Sequence, residues 1–142
     1  MSIMDLGRQF QSWEKGERVE TENRKFERYL AQDLAFAVFR PSFTKLGKIK
    51  DISKGGLAFE YVTAEGQMED STEIDIFISG TRFHMTRVPA KTMYDSKVVN
   101  HRYTFAPFVE RRRCGVQFGE LTEEQSAQLE HFIETHTTGL AP

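Results

Sequence analysis

From residue 34 onward the apolar side chains fall on every second position, run after run. Leu34, Phe36 and Val38 alternate with Ala35, Ala37 and Phe39, which gives one bulky and one lighter face. Leu57, Phe59 and Tyr61 repeat the pattern, as do Ile74, Ile76 and Ile78 around Asp75 and Phe77. Phe83 and Met85 open a further run, in which Pro89 argues against a central place in a sheet. Val99, His101, Tyr103 and Phe105 form the next run, and Cys114, Val116 and Phe118 the last. Strands have this period of two; a helix needs an apolar return every three or four residues. Gly47, Gly55-Gly56, Gly66, Gly80 and Asp95-Ser96 punctuate the runs as turns. Six or seven short strands in about 85 residues specify a mainly β, antiparallel barrel or sandwich.

The two ends read differently. Ile3, Leu6, Phe10 and Trp13 share one face of a short amphipathic helix over residues 1–16, which Gly16 would stop. That stripe has three candidate partners: its own domain, which is favoured, a second copy in a homodimer, or another protein. A membrane-surface helix would carry more Lys and Arg on its polar side. Residues 17–28, ERVETENRKFER, are almost wholly polar and read as an exposed linker. Residues 29–138 then hold the β domain and a closing helix. Thr122 with Gln125 has the form of a capping box, and Glu123 and Glu124 suit the positive end of a helix dipole. Leu121, Leu129, Phe132 and Ile133 supply the apolar face, so a helix over 122–136 is expected to pack on the strands. The last residues, TTGLAP, are expected to fray.

Composition narrows the function. The chain has 142 residues, 39% hydrophobic and 28% charged, which suits one folded domain. Nineteen basic against 21 acidic side chains leave a formal charge of −2, so a general duplex-DNA surface is not expected. Cys114 is the only cysteine, which removes internal disulfides and thiolate metal cages. No apolar run approaches the roughly 18 residues of a transmembrane helix, and no secretory signal opens the sequence. A cytoplasmic domain without membrane insertion is the expectation.

Two constellations join polar residues to special backbone. The first is Arg24-Lys25-Phe26-Glu27-Arg28, just ahead of the first strand. Guanidinium forks match phosphate oxygens and the O6/N7 edge of guanine, and their planes stack on bases. A pair on one segment suits a small dianion with purine rings, although on RxxxR alone the reading as solvated linker charge prevails. The second is Asp51-Ile52-Ser53-Lys54-Gly55-Gly56. A carboxylate accepts from guanine N1–H and N2–H, a serine hydroxyl donates to phosphate, and paired glycines allow a tight bend. The competing reading is a β-turn in which Asp51 bonds its own backbone.

The order RxxxR, strand, DxSxxG resembles the PilZ domain family of cyclic di-GMP receptors. The matching residues are Arg24, Arg28, Asp51, Ser53 and Gly56, and the likeness continues through GGLAFEY, CGVQFGEL and the helix start TEEQ. The resemblance implies a six-stranded antiparallel barrel with a C-terminal helix and an arginine loop that wraps ligand against the wall. It implies cyclic di-GMP as the ligand, held by those five residues, with no cofactor or metal. It also implies a signalling output: the 17–28 linker responds to ligand and changes the surface offered to a downstream protein partner. The alternative within the family is an adaptor that works through protein contacts without ligand.

Other groups rank lower. Arg111-Arg112-Arg113 reads as a solvated charge run, favoured over an addition to a basic ligand field. His131 and His136 lie five apart on the closing helix and share a face poorly, so a metal pair is not expected. His84 and His101 read as isolated strand residues, and Cys114 as a small core hydrophobe. No convergent acid, base or nucleophile motif marks an enzyme. Phe26, Tyr29, Tyr103 and Phe105 could stack on single-stranded nucleic acid, against which the net charge argues.

Overall fold

The computed structural model describes residues 26–41, 45–64, 72–98 and 109–142. The expected helix over 1–16, Arg24 with most of the linker, and the expected strand from Val99 to Phe105 lie outside those residues. In chain order the elements are β1 (Tyr29–Ala31), β2 (Ala35–Arg40), β3 (Leu46–Ile52), β4 (Gly56–Ala64), β5 (Glu73–Ile78), β6 (His84–Lys97), β7 (Val109–Phe118), α1 (Glu123–Thr135) and β8 (Thr137–Leu140). Strands pair in the order β2-β5-β6-β7-β4-β3, and β3 returns to β2, which closes a six-stranded antiparallel barrel. β3 also carries β1 on its far end, and β1 pairs in turn with β8.

The lighter face of β2 is the one that turns inward: Ala35, Ala37 and Phe39 are buried, while Phe36 stacks outside on Phe77 at 5.6 Å between ring centroids. Inside, Phe39, Ile49, Phe59, Ile74, Ile76, Met85, Val88 and Cys114 are almost fully buried and form one core. Each such side chain contributes about 1.5–3 kcal/mol by leaving water, so the barrel is driven by this period-two set.

Pro89 is interior to the sheet after all, and the pairing explains why. β6 pairs with β5 as far as Glu73↔Pro89, then with β7 from Ala90↔Phe118 onward. The missing N–H falls where the strand changes partner, and the Pro89 carbonyl accepts from Gly119 N–H at 2.8 Å. Asp95 and Ser96 make no turn. They continue β6 opposite Cys114 and Arg113.

The closing helix forms where its cap predicts. Thr122 Oγ1 accepts from Gln125 N–H and Gln125 Oε1 accepts from Thr122 N–H, each at 3.0 Å. Gln125 also donates to the Thr86 carbonyl at 3.0 Å, while Leu129 and Phe132 are buried against the barrel. The tail beyond it does not fray. Thr137 Oγ1 donates to the Ile133 carbonyl at 2.7 Å, β8 covers the edge of β1, and Ala141 N–H donates to the Arg28 carbonyl at 2.9 Å. An exposed strand edge at β1 is itself the reason: unpaired backbone groups there recruit the polar tail as a partner.

Candidate functional site

The corner between β3 and β4 is closed by its own backbone. Ser53 N–H donates to the Gly56 carbonyl at 2.8 Å, and Gly55 N–H donates to Ser53 Oγ at 3.1 Å. The Ser53 hydroxyl thus shapes the corner, with the Gly56 carbonyl 3.4 Å away as its acceptor. A Cβ on Gly56 would fall 2.1 Å from the Val116 carbonyl oxygen, so glycine is required here by the approach of β7. At Gly55 a Cβ would meet the Phe26 ring at 3.0 Å. Phe26 lies two residues ahead of Arg28, so this contact seats the chain just ahead of Arg28 on the corner.

Asp51 precedes that corner. A register shift between Ile49 and Asp51 makes room for it beside β4, and its side chain is only 8% exposed. It is tied from two sides. Arg113 Nη2 donates to Asp51 Oδ2 at 3.0 Å, and Arg28 Nη1 lies 3.8 Å from Oδ1. The first is a hydrogen bond; the second is ion-pair contact too long to be one. Arg113 Nη1 also lies 3.8 Å from Glu60 Oε2, and Arg111 Nη2 donates to Glu60 Oε1 at 2.7 Å. The result is a chain of alternating charge, Arg28, Asp51, Arg113, Glu60, Arg111, along the outer wall. Beyond it a groove of about 310 Å³ is lined by Lys48, Lys50, Glu60, Tyr61, Val62 and Arg111. Beside Asp51 the wall is low: Ala58 and Gly115 follow it across β4 and β7, and the Tyr94 ring lies over Gly115.

The arginine run is therefore not one solvated face. Cys114 and Val116 point inward, so the period of two sends Arg111 and Arg113 outward and Arg112 in. Arg112 Nε donates to Asp95 Oδ1 at 2.7 Å and its Nη1 to Glu110 Oε2 at 2.8 Å. Tyr61 Oη and Lys45 Nζ donate to Asp95 Oδ2 at 2.5 and 3.1 Å. Burial alone would raise the Asp95 carboxyl, but the donors Tyr61, Arg112 and Lys45 prevail and hold it below the ordinary carboxylate range. Burial, with the Asp95 charge, pushes the Cys114 thiol up to about 11, so it stays protonated at neutral pH.

The histidines also differ from expectation. His136 follows the helix rather than continuing it, and its ring reaches to 5.6 Å from that of His131, centroid to centroid. Burial, and then the charge of His131, lower the His136 pKa. His84 Nε2 lies 3.6 Å from Asp75 Oδ2 rather than standing alone. Among the described residues, no three of His, Cys, Asp and Glu gather to hold a metal ion, and no helix is long and apolar enough to cross a membrane.

Of the five residues expected to bind ligand, the structure brings Arg28, Asp51, Ser53 and Gly56 to one corner; Arg24 is outside the described residues. Arg113, read from the sequence as solvated charge, joins Asp51 at the same corner, on the outer side to which the alternation of Cys114 and Val116 assigns it.

A closed antiparallel barrel with a helix packed on it defines the class, small mainly-β barrel domains. Within that class the PilZ domain matches over residues 22–135, and the chain belongs to this family. No curated protein matches its sequence. Among solved structures, the PilZ domain of YcgR from Escherichia coli with c-di-GMP is similar at TM-score 0.56 and 15% identity, over 80% of this chain and 90% of that one. YcgR from Escherichia coli in complex with c-di-GMP gives TM-score 0.55 and 17% identity over 79% of this chain and 45% of that one. The MrkH–c-di-GMP complex of K. pneumonia gives TM-score 0.57 and 14% identity over 78% and 51%. The chain thus spans about half of the longer two, and at these identities the likeness speaks for the fold.

Proposed function

We propose that this domain is a receptor for cyclic di-GMP and uses no chemistry of its own. The supporting observation is the placement of Arg28 3.8 Å from the Asp51 carboxylate, on a segment seated by Phe26 against Gly55. Arg28 of one motif thereby lies beside Asp51 of the other, as a clamp on a dianionic purine ligand requires. Arg24 and Arg28 contact the phosphates and guanines. Asp51 accepts from a guanine edge, while Ser53 and Gly56 hold the corner against which the ligand rests.

The magnitudes are compatible with such a site. A bidentate arginine–guanine contact discriminates by about 1–3 kcal/mol. Micromolar affinity needs about −8 kcal/mol in all, against an ordering cost of about 1–2 kcal/mol for each residue newly fixed. Residues 26–31 carry none of that cost, because β1, β8 and the Phe26 contact already place them. Closing the arginines on ligand would reposition the segment ahead of the barrel and so change the surface offered to a downstream protein.

Calorimetric titration with cyclic di-GMP tests this reading. Saturable heat at tens of micromolar protein is the expected result. A folded protein that gives no heat supports the adaptor working through protein contacts. Conversion of the dinucleotide to linear product would make it an enzyme instead.

A further inference from the structure

Arg113 belongs to no recognised motif of the sequence, yet it makes the only hydrogen bond that Asp51's side chain receives among the described residues. The contrast with Arg28 is informative. Arg28 approaches Asp51 without hydrogen-bonding, so its fork can turn to a ligand at little loss. Arg113 sits on β7 in full register with β4, where Glu60 is its cross-strand neighbour. A barrel strand holds it, whereas Arg28 stands ahead of β1 at the edge.

The bond also selects which atom of Asp51 is left for a ligand. Arg113 occupies Oδ2. Oδ1 faces Arg28, the side from which a ligand held by the arginine segment arrives. A carboxylate accepts about four hydrogen bonds, so one bound guanidinium leaves room for two donors of a guanine edge. Fixed in this way, the carboxylate presents a set angle to guanine N1–H and N2–H. A mobile one would supply charge without direction.

We propose that Arg113 is a positioning residue of the ligand site, which orients Asp51 and thereby gives the domain its preference for guanine. The inference rests on the cyclic di-GMP reading above. Glu60 contributes from the other side: with Arg111 at 2.7 Å and Arg113 at 3.8 Å, it keeps the Arg113 fork from swinging away from Asp51.

The test compares cyclic di-GMP with its hypoxanthine analogue, cyclic di-IMP, which lacks the 2-amino group. Wild-type protein should prefer cyclic di-GMP by roughly ten- to hundredfold, the range for a hydrogen bond to a charged group. Arg113→Met should reduce that ratio to within about threefold, and Arg113→Lys, which restores a donor toward Asp51, should recover part of it. Arg111→Met removes the same charge one rung away and loosens only Glu60, so it should lower the ratio far less than Arg113→Met does. An unchanged ratio in Arg113→Met overturns the proposal, even if affinity falls, because Arg113 would then act as charge alone. So does an equal loss of preference in Arg111→Met. If Arg113→Met does not fold by thermal melting, Arg113→Lys and Arg113→Gln carry the comparison, and a full wild-type ratio in both again overturns it. Failure of wild-type protein to bind cyclic di-GMP is a separate result, which removes the receptor reading itself and this inference with it.

Discussion

The Phe26 ring lies where a side chain on Gly55 would have to go, 3.0 Å from the position of that absent Cβ. One aromatic ring thus docks the chain just ahead of Arg28 on the β3–β4 corner, and it does so through a residue that neither motif counts.

Gly55→Val should therefore lift Phe26 from its seat and move Arg28 away from Asp51. Affinity for cyclic di-GMP is expected to fall by about tenfold, or about 1.4 kcal/mol, with little change in melting because Phe26 is 45% exposed. Titration and thermal melting of the same preparation check this. A loss of fold in step with a loss of binding would contradict it.

Gly56 carries the opposite expectation. Its Cβ would meet backbone, the Val116 carbonyl, which has no flexible end to give way. Gly56→Ala should cost about 1–3 kcal/mol of stability by overpacking the β4–β7 pair. Urea denaturation measures it. Stability equal to wild type would mean that the glycine is there for the ligand alone.

Arg28 and Asp51 should separate binding from folding. Arg28→Ala removes a half-exposed side chain with no hydrogen bond to Asp51, so stability should hold within about 0.5 kcal/mol while affinity drops. Asp51→Ala strips Arg113 of its acceptor on a buried site and should cost about 1–3 kcal/mol as well as binding. Unchanged affinity in both variants would remove these residues from the site.

The Asp95 cluster predicts an acid limb in the stability profile. Its carboxyl is lower in the folded state than in the unfolded chain, so the unfolded state binds more protons as pH falls. Its contribution is fully present above the unfolded carboxylate range, near about pH 4, and is lost on further acidification. His136, also lowered by folding, works in the same direction nearer neutrality. Asp95→Asn should lower stability at pH 7 and flatten the acid limb, which denaturation at a series of pH values would show. A mutant profile parallel to wild type would assign the acid loss elsewhere.

The barrel was legible because burial enforces a period of two, which stands in the sequence as Leu57-Phe59-Tyr61 and Ile74-Ile76-Ile78. The helix was legible because Thr122 and Gln125 satisfy each other locally. Partnership across the sheet was not. Pro89 reads as an edge residue until the exchange of β5 for β7 is known, and TTGL reads as tail until β1 supplies an edge. Arg113 meets Asp51 only because β3 and β7 flank the same strand, 62 residues apart in sequence. The motif residues were visible because they are local runs; their supporting partners came from the fold.

The last strand gives the domain a mechanical property. The Ala141 amide holds the Arg28 carbonyl, so the carboxyl-terminal ribbon and Arg28 share one tether. If the domain is the receptor proposed above, a force or a protein that peels that ribbon from β1 would weaken nucleotide binding, and bound nucleotide would resist the peeling in equal measure.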